Sequence, residues 1–146
     1  MGTTANLFLL LLFSVLVFRR SSALSATTTV HIQNDIESYE ADLFYHCMSN
    51  DDDLGKRSLN QGQEWYWEFG AIKKTHFWCD FRWYDNGDYH WKSGTFTVYS
   101  RRSVEQRKFY DYVCGTDCKW SARRDGLYIY YVENRVWKKI NEWHVE

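Results

Sequence analysis

The stretch THFWCDFRWYDNGDYHW, residues 75–91, decides the fold class. Phe77, Cys79, Phe81 and Trp83 occupy one parity; Trp78, Asp80, Arg82 and Tyr84 occupy the other. Successive side chains of a strand point to opposite faces, so this alternation describes a strand with an apolar inner face and a mixed outer face. Asn86-Gly87 then stands between WYD and DYHW. That dipeptide predicts a tight hairpin, because a two-residue type I′ turn needs positive φ at both central residues.

The same period runs outward from this hairpin. Val30 and Ile32 alternate with His31 and Gln33, and Leu43, Tyr45 and Cys47 share a face. Trp65, Trp67 and Phe69 oppose Tyr66 and Glu68; Phe96 and Val98 oppose Thr97 and Tyr99. Cys118, Trp120 and Ala122, then Leu127, Ile129 and Tyr131, repeat the pattern. Short alternating runs rich in aromatic and β-branched residues predict strands. Asp51-Asp52-Asp53-Leu54-Gly55, Asn60-Gln61-Gly62 and Asp125-Gly126 supply turn chemistry, and residues 103–112 hold either a helical turn or a long loop. About seven to nine strands in a single domain predict an all-β, two-sheet antiparallel sandwich.

Composition narrows the class further. The 146 residues include 8 Trp, 11 Tyr, 9 Phe and no Pro, which excludes a disordered or proline-rich chain. Lys and Arg (18) nearly balance Asp and Glu (19), so no global field draws the chain to nucleic acid or an anionic membrane. Residues 7–18, LFLLLLFSVLVF, have the length of a signal-peptide apolar region and are too short to span a bilayer. Small residues follow, predicting cleavage after Ala23 or Ser25. Residues 1–23 are therefore expected to be a signal segment that leaves no stable membrane anchor, and residues 24–146 the folded domain.

Four cysteines in a secreted domain predict two disulfides. Zinc is the competing use, but Cys114 and Cys118 are separated by three residues and no His pair has ligand spacing. Cys47 and Cys79 lie on the apolar faces of their strands, which favours Cys47–Cys79 with Cys114–Cys118 closing a small loop; Cys47 with Cys114 stays open. The three consecutive carboxylates Asp51, Asp52 and Asp53 lack the alternate spacing and distant Glu of a calcium loop. A solvated turn with one Asp bonded to local backbone is the reading. No His neighbours a nucleophile motif. The sequence therefore predicts no catalytic residue, no cofactor and no metal site.

VHIQN, LFYHC, SNDDDLG, WYWEF, THFWCDFRW, CG with CKW, DGLY and a C-terminal Trp follow one another between residues 30 and 143. In this order the chain resembles the plant self-incompatibility S-protein homologues. The resemblance implies a small, secreted, disulfide-bonded β-sandwich. It also implies a ligand in cell–cell signalling, the founding members being female-tissue signals to incompatible pollen. The chain contains no Asn-x-Ser/Thr sequon, so the N-glycosylation of some members is not expected.

Two partners follow as expectations: a cell-surface protein receptor, or a glycan stacked on aromatic faces. Trp65, Trp67, Trp83 and Trp120 are assigned to the core. Trp78, Tyr84, Tyr66 and Tyr99 are assigned outward, where exposed rings form contact patches. The loops 51–62, 85–88 and 101–112 are expected to carry specificity. The candidate contact surface is thus Asp51, Asp52, Asp53, Trp78, Tyr84, Asn86, Arg101 and Arg102.

Overall fold

A computed structural model describes residues 26–146; the expected signal segment and its cleavage site lie outside them. The strands are β1 (Thr28–Asn34), β2 (Leu43–Met48), β3 (Asp53–Leu59), β4 (Glu64–Phe69), β5 (His76–Asp85), β6 (His90–Ser100), β7 (Asp117–Arg123), β8 (Gly126–Tyr131), β9 (Val136–Asn141) and β10 (His144–Val145). One helix, α1 (Val104–Val113), follows β6. Sheet A has the order β4-β1-β7-β8-β9, and sheet B the order β10-β6-β5-β2-β3.

The expected disulfide-stabilised sandwich is the architecture observed, with corrections in detail. β1 and β7 pair in parallel, Val30 opposite Cys118 and Ile32 opposite Trp120, within an otherwise antiparallel set. The described residues hold ten strands, more than the seven to nine expected. Two of the additions lack alternation: β3 (DLGKRSL) is a strand because it pairs with β2, and β9 (VWKKIN) because it pairs with β8. Residues 51–62 are consequently not one loop. Residues 101–112 are mostly helix; Ser103 caps α1, its side chain accepting from the Gln106 N–H at 3.1 Å.

The core fills from both sheets. Sheet A contributes Val30, Ile32, Trp120, Leu127 and Ile129; sheet B contributes Leu43, Phe81, Trp83 and Val98, all buried. Trp65, Trp67 and Phe69 pack against it half-buried along the edge strand β4. Tyr99, assigned outward from its parity, is buried. The β5–β6 register jumps from Phe77↔Tyr99 to Trp78↔Thr97, so Val98 is an extra residue that turns Tyr99 inward. Tyr99 then packs against Phe69 and Tyr110.

The hairpin at Asn86-Gly87 exists, but with different backbone geometry. Residues 86–89 form a four-residue loop closed by the Tyr89 N–H donating to the Asp85 carbonyl at 2.7 Å. Positive φ falls on Tyr89 (59°) and not on Asn86 or Gly87.

Cys47 pairs with Cys79 across adjacent strands of sheet B, and Cys114, the C-cap of α1, with Cys118 on β7. The first closes a loop of sequence separation 32, the second one of 4. Loop-closure entropy assigns the longer loop ~3–4 kcal/mol and the short loop less. Replacing Cys47 and Cys79 together by Ala is expected to lower the unfolding free energy by about 3 kcal/mol. Replacing Cys114 and Cys118 is expected to cost less, with both read by urea unfolding.

Candidate contact surface

The pleat that buries one face of sheet B presents the other. Across its strands the outward side chains stand in rows fixed by register. Tyr84 lies opposite Trp91; Phe44, Arg82 and Ser93 form the next row; Lys56, His46, Asp80 and Thr95 the third; Met48, Trp78 and Thr97 the fourth. The polar third row therefore stands between rows that carry Phe44 and Trp78. The middle rows line a shallow depression of about 610 Å³.

At its upper end the rings form a platform. The Trp91 ring meets Tyr84 edge-on at 5.3 Å and Phe44 at 6.3 Å, and the Arg82 guanidinium lies 4.1 Å from its centroid. Arg82 is held there by the Glu146 carboxylate at 2.9 Å. Phe44 is 45% exposed, a large apolar side chain left uncovered in the middle of a sheet. Below, the Thr95 hydroxyl donates to Asp80 at 2.6 Å, and the His46 ring pairs with Asp53.

The candidate residues divide between the two ends of the sandwich. Trp78 is half-buried on the outer face and stacks on His76, with centroids 5.5 Å apart. The His76 ring is held below its ordinary pKa by burial and by the Arg102 guanidinium, which gathers Trp78, His76 and Arg102 at the lower end. Its Nδ1 is buried without a hydrogen-bond partner. The β2–β3 turn, with Asp51 and Asp52 exposed, leaves β2 at this same end, since Met48 pairs with Trp78. Asp53 starts β3, and its carboxylate accepts from the N–H of Gly55 at 2.8 Å, where φ is 84°, a conformation the missing Cβ permits. Arg101 is engaged by Asp111 of α1 and anchors the helix instead of pointing free.

Tyr84 and Asn86 belong to the upper end. The Asn86 side-chain amide donates to the Tyr39 carbonyl at 2.6 Å, tying its turn to the β1–β2 loop. Beside it, the carboxylate of Asp85 has no exposed surface. It accepts from Lys92 Nζ at 2.8 Å, Arg124 Nε at 3.1 Å, the Gly87 N–H at 2.9 Å and the Asp88 N–H at 3.3 Å. Burial by itself raises the pKa of a carboxylate, but Lys92, Arg124 and the two backbone donors outweigh it and hold Asp85 far below the usual range. The 85–88 segment is therefore a clamp between β5, β6 and the β7–β8 turn. The predicted loops do not converge on one site: Asp51, Asp52, Asp53, Arg101 and Arg102 lie at one end, Asn86 at the other, and the outer face joins them.

Phe44 and Trp91 were missed by sequence reasoning. Their signal was parity alone: Phe44 opposes the Leu43–Tyr45–Cys47 face, and Trp91 is placed by pairing with Tyr84. Among the described residues no group of three His, Cys, Asp or Glu side chains is arranged to hold a metal ion, and no helix is long and apolar enough to cross a membrane.

The family model described as plant self-incompatibility protein S1 matches residues 29–143. S-protein homolog 2 of Arabidopsis thaliana is 37% identical over 103 residues, spanning 67% of this chain and 56% of its own length. S-protein homolog 24 of the same plant is 36% identical over 105 residues, with 70% and 60% spanned. These matches cover less than two thirds of the relatives. Self-incompatibility protein S1 of Papaver rhoeas is 26% identical over 135 residues, spanning 91% of this chain and 89% of the relative. A solved structure described as one of "SPH (Self-Incompatibility Protein Homologue) proteins, a widespread family of small, highly stable, secreted proteins from plants" superposes with a TM-score of 0.57. Its sequence identity is 20%, over 84% of this chain and 98% of that one, a likeness of fold.

Two outcomes test the electrostatics. Asp85→Asn leaves Lys92 and Arg124 without their shared anion and is expected to cost about 3 kcal/mol in denaturant unfolding at neutral pH. Because the folded-state pKa is depressed, the contribution of Asp85 is complete above the unfolded carboxylate value, about 3.9. It disappears as pH falls from there toward the folded value, so the wild-type and variant curves converge in acid. In an NMR titration His76 is expected to protonate below the ordinary histidine range, and Arg102→Ala to move it partway back up.

Proposed function

Because the chain belongs to the plant self-incompatibility protein S1 family, we propose that it is a secreted ligand of a cell-surface receptor. It acts by binding, without turning over a substrate, in self-incompatibility or related plant cell–cell signalling. Residues 1–23 serve as its signal segment. The observation that supports this reading is the outer face of sheet B, where an exposed Phe44 and half-buried Tyr84 and Trp91 are held around Arg82. Aromatic and arginine side chains on a rigid support are the groups that dominate protein interfaces. The support is rigid here because β2 and β5 are joined both by their ladder and by the Cys47–Cys79 bridge. Asp51 and Asp52 at one end and Asn86 at the other flank the face and supply specificity, as loops on a fixed scaffold do.

One observation favours a second reading, a carbohydrate-binding module. The depression places Asp80, Arg82, Ser93 and Thr95 beside the exposed ring of Phe44. Rings that stack on a sugar face, beside groups that bond hydroxyls, are what such a module needs.

Fluorescently labelled protein applied to intact cells of the expressing tissue separates the two. Saturable binding is expected that unlabelled protein displaces and soluble cell-wall oligosaccharides do not. Changing Phe44 and Trp91 together to Ala is expected to weaken it roughly 30-fold while thermal unfolding stays cooperative. Undiminished binding by that variant sinks the assignment of the face. Displacement by oligosaccharide, with loss on Trp78→Ala, selects the carbohydrate module.

A further inference from the structure

A strand at the rim of a sheet offers unpaired N–H and C=O groups, and natural proteins blunt such rims with bulges, charges or covering side chains. Three of the four rims described here are blunted. β3 faces solvent with Lys56 and Arg57, a register shift at His46/Met48 and Gly55 at φ 84°. The β6 rim is covered in part by β10, and its Thr97 and Val98 carbonyls accept from the Tyr110 hydroxyl at 3.3 Å and the Trp120 indole at 2.9 Å. β9 carries Lys138 and Lys139 and sits opposite a register shift at Leu127/Tyr128.

β4 lacks a bulge, a covering strand and any cation; its only charges are Glu64 and Glu68. Its six residues, EWYWEF, pair with β1 in unbroken register from Thr28↔Phe69 to Gln33↔Glu64 and contain no Lys, Arg, Gly or Pro. β1 is its sole ladder partner among the described residues. The outward side chains Glu64, Tyr66 and Glu68 are exposed. The inward ones rest on the core, with Trp65 and Trp67 stacked at 5.0 Å. The rim therefore keeps an unbroken ladder on its inner side and can accept another strand on its outer side.

Its charge says which strand. Antiparallel pairing of β4 with a second copy, centred on Tyr66, sets Glu64 of one copy opposite Glu68 of the other, and like charges directly opposite are destabilising. The same two carboxylates complement a strand with cations at the matching alternate positions. We propose that β4 is a docking edge for an extended segment of a partner protein, added as a sixth strand of sheet A, with Lys or Arg facing Glu64 and Glu68. Backbone hydrogen bonds supply the affinity and the alternate side chains the selectivity, as in strand addition generally. This site is on the other sheet from the proposed receptor-binding face, and stands or falls separately.

The probe is a seven-residue peptide in which valine alternates with lysine, threonine and lysine; the control carries glutamate in place of lysine. On titration into the isotopically labelled protein, amide shifts are expected in β4 and β1, with slowed hydrogen exchange along β4. The lysine peptide is expected to bind roughly tenfold tighter than the control, the size set by reversing two cross-strand charge pairs. Glu68→Lys, which leaves the Glu64–His31 contact in place, is expected to narrow that ratio. Glu64→Lys with Glu68→Lys is expected to invert it, a result that misfolding does not produce. No shift in β4 at millimolar peptide overturns the proposal. So does equal affinity for both peptides, or concentration-dependent dimerisation through β4.

Discussion

The pleat of β5 is the constraint on which the rest of the structure depends. Ten residues alternate without interruption, so Phe77, Cys79, Phe81 and Trp83 enter the core while Trp78, Asp80, Arg82 and Tyr84 leave it. The strand lies at the centre of sheet B, paired with β6 on one side and β2 on the other. Slipping it by one residue would place four polar or half-polar side chains between the sheets, which no compensation in a core of this size can offset. The contact face is consequently not an addition to the scaffold: the register that packs Trp83 also points Arg82 at Trp91.

Two kinds of fastening hold that register. In the middle of sheet B the fastening is covalent, Cys47 to Cys79. At the upper end it is ionic, with Asp85 joining the β5–β6 hairpin to Arg124 of the β7–β8 turn in sheet A. Burying a carboxylate is costly unless its lone pairs are met, and here cations and backbone amides meet them. Trp143 adds an apolar link, leaning on Phe81, Trp83 and Phe96 while its indole N–H donates to the Arg123 carbonyl at 2.7 Å. A face supported in this way needs no ordering before a partner meets it, which would keep the entropic cost of association low.

What was legible in the sequence was what the two-residue period encodes: the class of fold, the inward Trp83 and Trp120, and the outward Trp78 and Tyr84. What was not legible depends on pairing. Tyr99 turns inward because of a bulge that only the partner strand reveals. β3 and β9 are strands by virtue of neighbours, with sequences that read as charged or irregular. The Asn86-Gly87 turn was visible, but the buried Asp85 that replaces its expected geometry was not, since its partner Arg124 is remote in the chain. Strand order also decided that Asp51 and Arg102 share an end of the molecule that Asn86 does not. Period and turn chemistry are local; the assembly of a surface from several strands is not.

The parallel pairing of β1 with β7 has a consequence for how the chain reaches its fold. β1 is the first described strand, and its Val30 waits for Cys118, with nearly the whole of sheet B between them. Loop-closure entropy is met before such a contact gives anything back, so contacts of this kind form late. The sheet B strands form two hairpins, β2–β3 and β5–β6, joined through β2 and β5, and all four precede β7 in the chain. Until β7 is in place, β4 is the one ladder partner of β1 among the described residues. The first described strand is thus among the last to gain its full set of neighbours.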